Sequence, residues 1–189
     1  AVLAGLQTGL KDKSAELSGL EQDAKRLQKL VESLRLAISD IPAASGTYKS
    51  LRELKGKLRW PVKGKIVRRF GSTQAAGKIS SRGVQIASET GADVRAIARG
   101  RVVFADWLRG FGLLLIIDHG GGYMSLYGQS SSLYKEVGDA VEGNEVIAAV
   151  GNSGGFSVPG LYLELRRKGR PFDPGPWFKG SPVPMQAVR

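Results

Sequence analysis

Between Lys63 and Leu165 the apolar residues never run long. They come in short β-rich runs at 66–70, 84–87, 94–98, 101–105, 113–118, 123–127, 146–150 and 161–165, separated by turns containing Gly, Pro or Asn. Runs of this length, rich in Val, Ile, Leu, Tyr and Phe and bounded by such residues, read as strands. Ala98-Arg99-Gly100-Arg101 reads as a tight link between two of them, and His119-Gly120-Gly121-Gly122 as a hairpin loop. The 26 glycines suit the turns and bulges that a many-stranded domain needs. The pattern predicts a mainly β domain over residues 60–180, followed by a tail at 181–189.

The first 41 residues follow a different period. Leu3, Leu6, Leu10, Lys13, Leu17, Leu20, Ala24, Leu27, Val31, Leu34, Ile38 and Ile41 alternate steps of three and four, and only Lys13 breaks the apolar series. A seam this narrow, flanked by Gln, Lys, Asp and Glu, predicts the C-terminal part of a coiled coil. Its helix would be about 55–60 Å long at 1.5 Å per residue. The competing reading is a single amphipathic helix lying on the β domain. The helix should stop at Asp40-Ile41-Pro42, because proline disfavours helical geometry in the residue before it. Residues 42–59 read as a linker with a short helix over 48–58, carrying an apolar stripe of Leu51, Leu54 and Leu58. Residues 1–10 already follow the helical pattern. The chain is therefore expected to be a piece of a longer protein, with the partner coiled-coil segment and any targeting signal outside it.

The formal net charge is +11. Residues 1–41 are balanced, with six basic and six acidic side chains, so the excess lies in 42–189, with 22 basic against 11 acidic. Such a surface suits an anionic partner: nucleic acid, lipid headgroups, acidic wall polymer or an acidic protein segment. No nucleic-acid motif of the zinc-finger, helix-turn-helix or RNP kind is present. Absence of cysteine excludes disulfides and thiolate chemistry. No run of 18 apolar residues marks a membrane helix.

Six strings occur in order between residues 60 and 178. Trp60-Pro61-Val62 with Phe70-Gly71 comes first, then Ser81-Arg82-Gly83-Val84-Gln85-Ile86, then residues 94–103. Asp118-His119-Gly120-Gly121-Gly122-Tyr123 with Leu126-Tyr127-Gly128-Gln129 follows. Val137-Gly138-Asp139 with Val150-Gly151-Asn152-Ser153-Gly154 and Leu161-Tyr162-Leu163-Glu164-Leu165-Arg166 complete the set. Together they resemble the LytM, or lysostaphin-type, peptidase domain. In that family the second string reads His-x-x-x-Asp, the fourth ends Tyr-x-His, and the last carries His-x-His. The first His, the Asp and the second His of the last string hold zinc, and the other two histidines assist the bound water. Ser81, Gln85, Gln129, Gly160 and Tyr162 stand at those five positions here. Neutral oxygens of Ser, Gln and Tyr do not compete with water for zinc, and without the metal there is neither an activated hydroxide nor a Lewis acid. The resemblance thus implies a degenerate metallopeptidase with no catalytic residue, no metal and no cofactor. His119 matches a non-catalytic family position and reads as structural.

Residues 106–112, 124–128 and 161–167 most resemble the murein hydrolase activators of the family, which join a long coiled coil to a LytM domain lacking zinc ligands. The resemblance implies a periplasmic protein at the division septum. It would be recruited by the membrane complex FtsEX through a coiled-coil portion outside this chain, and would activate an N-acetylmuramoyl-L-alanine amidase that splits septal peptidoglycan. Arg82, Gln85, Phe111, Leu114, Tyr127, Tyr162 and Arg166 would line the former active-site groove and bind an amidase helix, with Arg at its edge. Leu51, Leu54 and Leu58 would form a lid over that groove, or else pack on a fixed site beside the sheet. The alternative function is a peptidoglycan-binding module that holds wall peptide or glycan without cutting it.

Overall fold

The computed structural model describes residues 2–39, 50–74 and 79–182. Helix α1 (Val2–Ser39) is followed by a short 3-10 turn (Leu51–Leu54) and by the strands β1 (Lys65–Arg68), β2 (Thr73–Gln74), β3 (Ile79–Ser80), β4 (Val84–Ala87), β5 (Asp93–Arg95), β6 (Gly100–Leu108), β7 (Gly112–Asp118), β8 (Tyr123–Ser130), β9 (Ser132–Leu133), β10 (Ala140–Val141), β11 (Val146–Ala149), β12 (Gly160–Arg167) and β13 (Arg170–Phe172). The main sheet runs β1-β4-β12-β8-β7-β6-β10, with β13 hairpinned onto β12; β5-β11-β9 form a second sheet and β2-β3 a small ribbon. The described pairings are antiparallel. The fold is mainly β with one N-terminal helix.

Alternation along the strands gives the main sheet two apolar faces. Val84, Ile86, Leu115, Ile117, Tyr127, Leu161, Leu163 and Leu165 share the larger core with Val94, Ile147, Val150, Trp177 and Phe178. Leu114, Ile116, Met124, Leu126, Phe111 and Tyr162 form the other, and it is covered by Leu27 and Val31 of α1. Both helix residues are fully buried, and Leu30, Leu34 and Ile38 pack beside them. The second half of the heptad seam therefore faces the sheet, as the single-helix reading has it. In the first half Leu10 is 67% exposed.

Strands β6 and β8 are longer than the apolar runs suggested, because polar residues such as Asp106, Gln129 and Ser130 continue the ladders. The helix expected over 48–58 shrinks to one 3-10 turn capped by Ser50, whose backbone donates to Glu53 Oε2 at 2.7 Å. Gly56, at φ 76°, turns the chain out of helical geometry. Leu58 then bridges to Phe178, with its amide donating to Trp177 O. The helix stop at 40–42, the linker at 43–46 and most of the tail lie outside the described residues.

The turn after β7 explains the single histidine. His119 Nδ1 lies 2.7 Å from Arg99 O and Nε2 lies 2.7 Å from Ser125 Oγ. Ser125 donates to Tyr127 Oη at 2.9 Å, which in turn accepts from Ile97 N at 3.0 Å. The chain of bonds ties the β5–β6 link to β8, and no part of it reaches the α1 face. Burial lowers the His119 pKa to about 4, partly opposed by the hydrogen bond to Arg99. Between that value and its unfolded value the unfolded chain binds the extra proton, so stability is full above about pH 6.5 and falls with pH through this window. The histidine contribution lost by pH 4 is on the order of 3 kcal/mol. In urea denaturation between pH 7 and pH 4.5, the parent should lose markedly more stability than His119→Gln; equal slopes would contradict this role.

Candidate functional site

The five positions that the motif resemblance assigns to zinc chemistry lie on β4, β8 and β12 and, for Ser81, between β3 and β4. Gln85 and Gly128 flank Tyr162 in register on neighbouring strands. Ser81 is buried and donates to Gly83 O at 2.9 Å. Gln85 is 3% exposed, and its Nε2 has no protein partner. Gln129 is fully buried at φ 69°, and neither of its amide atoms is paired within the protein. Gly160 leaves no room for a side chain, since a Cβ there would sit 2.3 Å from Ile86 O. The Tyr162 hydroxyl is committed to Glu164 Oε2 at 2.5 Å. These donors do not fit a zinc ion: the one buried carboxylate nearby serves a tyrosine and an arginine. Among the described residues no three His, Cys, Asp or Glu side chains cluster as metal ligands.

A buried polar chain runs along β12. Because alternate residues share a face, Tyr162, Glu164 and Arg166 all point towards α1 while Leu161, Leu163 and Leu165 fill the core. Arg166 Nε donates to Glu164 Oε1, and its Nη1 donates to Gly169 O at 3.1 Å and to Gln28 Oε1 of α1 at 2.7 Å. Glu164 and Arg166 are completely buried. Burial raises the Glu164 carboxyl from its usual value, opposed by Arg166, Tyr162 and Arg82. Burial and the Glu164 charge hold the Tyr162 hydroxyl protonated far above its usual range.

Aromatic rings surround this chain. Phe111 lies 5.3 Å from the Tyr162 ring, Phe156 stacks on it at 6.2 Å, and Arg68 sits 5.7 Å over Phe156. Arg82 reaches from the opposite rim to Ala24 O at 3.4 Å. Beside α1 a cleft of about 630 Å³ stays open between Leu20, Ala24, Arg68, Arg82, Phe111 and Tyr162. At the hairpin between β6 and β7, Gly110 permits close approach of the helix: a Cβ there would lie 2.4 Å from Asp23 Oδ2.

Phe111, Leu114 and Tyr162 share a cluster with Leu27 and Val31 of α1, Arg82 lines the cleft with Phe111 and Tyr162, and Gln85 pairs in register with Tyr162. Two groove assignments need correction. Tyr127 lies in the core on the far face with Tyr123, because residues alternate along β8 and Met124 and Leu126 take the α1 side. Arg166 is on the floor, not at the edge. Leu51, Leu54 and Leu58 pack in the larger core near Trp177, so the fixed-site reading describes them and α1 occupies the groove. Glu164, Phe156, Arg68 and Gln28 went unremarked. Glu164 was legible: a carboxylate between two leucines, two residues from both Tyr162 and Arg166, must be paired.

Replacing Arg166 by Met should strand the Glu164 charge and cost about 3 kcal/mol or more. Combining it with Glu164→Gln should recover much of that loss in urea denaturation. A double variant no more stable than Arg166→Met would show that the pair is not the source of the cost.

Two relatives and two solved structures give this site its context. Over 124 residues the chain is 44% identical to the murein hydrolase activator EnvC of Escherichia coli, covering 66% of this chain and 29% of EnvC. It is 36% identical over 117 residues to the murein hydrolase activator NlpD of the same species, covering 61% of this chain and 30% of NlpD. The chain thus spans about a third or less of these relatives. A zinc-containing peptidase from Vibrio cholerae superposes with a TM-score of 0.59 at 23% identity, over 69% of this chain and 41% of that one. Lysostaphin from Staphylococcus simulans superposes at 0.56 with 24% identity, over 61% and 49%. Both structures share the fold. Residues 80–174, just over half of the chain, match peptidase family M23, and the chain belongs to that family.

Proposed function

We propose that this chain is a non-catalytic activator of a periplasmic N-acetylmuramoyl-L-alanine amidase, acting at the division septum by binding an amidase helix in the former active-site groove. One observation carries the reading: the groove already holds a helix. Leu27 and Val31 bury their side chains against Leu114, Phe111 and Tyr162, and Gln28 meets Arg166. A surface that fits one amphipathic helix by apolar anchors and a buried arginine is suited to another of the same kind. The relatives named as murein hydrolase activators support the same class of function. The zinc-incompatible donor set supports a protein that binds without cleaving. Recruitment by FtsEX would use coiled-coil sequence outside this chain, on the side of α1 where residues 9–16 are exposed.

In this reading α1 and the amidase helix compete. An amidase that binds only the open groove sees its affinity reduced by the open fraction, so a lid closed 99% of the time weakens binding about a hundredfold. In this reading α1, not the 51–58 segment, is the lid, because Leu27, Val31 and Gln28 meet the groove face. Truncating Leu27 to Ala removes a fully buried side chain at a cost of about 2–4 kcal/mol, borne by the docked state of α1. In a dye-release assay on sacculi with candidate amidases, Leu27→Ala with Val31→Ala should activate at lower concentration than the parent. Tyr162→Ala should lose activation even when α1 is loosened, by roughly thirtyfold or more in affinity. Unchanged dose–response for all variants, with folding matched, would remove the groove from the mechanism. Saturable binding to sacculi without amidase, unaffected by Tyr162→Ala, would favour the peptidoglycan-binding module.

A further inference from the structure

The floor of the groove is not electrically neutral towards its occupant. Arg166 is completely buried, yet Glu164 is the one carboxylate that engages it. Gln28 supplies a neutral amide oxygen to Nη1, and Nη2 has no protein partner. Arg82, on the rim, makes no ion pair among the described residues and donates to the Ala24 carbonyl. Two guanidinium groups therefore face α1; Glu21 and Asp23 of the helix line the cleft with Arg82, whereas the group that α1 sets on Arg166 is the neutral amide of Gln28. A guanidinium presents its donors as a fork that matches a carboxylate in two parallel bonds, which an amide oxygen cannot reproduce.

We infer that the groove selects an amphipathic helix carrying a carboxylate at the position of Gln28, between apolar anchors equivalent to Leu27 and Val31, and that Gln28 makes the chain's own helix a deliberately weaker occupant. The inference rests on the activator reading for the identity of the partner, but the selection rule belongs to the groove and is testable without one. A carboxylate at this place completes the unpaired Nη2 and balances the second cation. It also forfeits the weak donation from Gln28 Nε2 to Gly169 O, which at 3.4 Å is the longer bond of the two. The spacing is the recognisable part: one residue after the first anchor and three before the second, so that all three lie within a single turn-wide stripe of a helix.

The test uses the whole chain and α1 itself as the probe. Amide hydrogen exchange across residues 24–34 reads the opening of the helix from the groove. Gln28→Glu should slow exchange about five- to tenfold relative to the parent, as a charge-assisted bond replaces a neutral one. Gln28→Ala should speed it by a similar factor. Gln22→Glu adds the same charge at an exposed site of α1 and should leave exchange unchanged. Slower exchange in Gln28→Glu alone supports the rule. Exchange in Gln28→Glu equal to or faster than the parent overturns it, as does equal slowing by Gln22→Glu, which would reduce the effect to general attraction between an acidic helix and a basic domain. The activator reading is judged separately by amidase activation with the parent chain, so either idea can fail while the other stands.

Discussion

Arg166 and Glu164 are a fully buried ion pair on a strand whose other face is pure leucine, and the arrangement of the α1 face follows from keeping that pair satisfied. The strand's alternation puts Tyr162, Glu164 and Arg166 in one row. The tyrosine caps the carboxylate at one end, the Gly169 carbonyl takes the arginine at the other, and α1 closes the remaining side through Gln28. Removing water from two charges is costly unless each remaining lone pair and proton finds a partner. The helix is thus more than apolar cover. It screens the guanidinium from water and brings it a hydrogen-bond acceptor in exchange.

Under the proposed function, the same row is what would suit a peptidase-fold groove to holding a helix. At the family's last zinc position stands Tyr162, whose ring meets Phe111 and Phe156 while its hydroxyl turns inward to Glu164. The row presents an aromatic wall over an ionic floor. Such a surface favours a helix with apolar anchors and one polar tooth, and it is large enough to leave a cleft of about 630 Å³ beside the present occupant.

Much of this was legible in the sequence because the signals are periodic. Strand runs separated by glycine gave the β domain, and the three-four seam gave α1 and its apolar side. Motif order singled out Gln85 and Tyr162, which the structure pairs in register on neighbouring strands. What could not be read was which surface the seam meets, because Leu27 and Val31 would fill a partner helix or a sheet equally well. Tyr127 reads as a groove residue from its place in the motif, but alternation along β8 sets it with Tyr123 in the larger core, opposite Met124 and Leu126. Leu51, Leu54 and Leu58 had the composition of a lid, but a 3-10 turn and the bridge from Leu58 to Phe178 fix them to the core instead.

The central claim is that an amidase helix and α1 use the same groove. Measuring amide exchange of residues 24–34 in the intact chain, with and without a saturating N-acetylmuramoyl-L-alanine amidase that the chain activates, tests it most directly. The account predicts that α1 loses protection on binding while β12 gains or keeps it. An activated complex in which α1 remains as protected as in the free chain would contradict it.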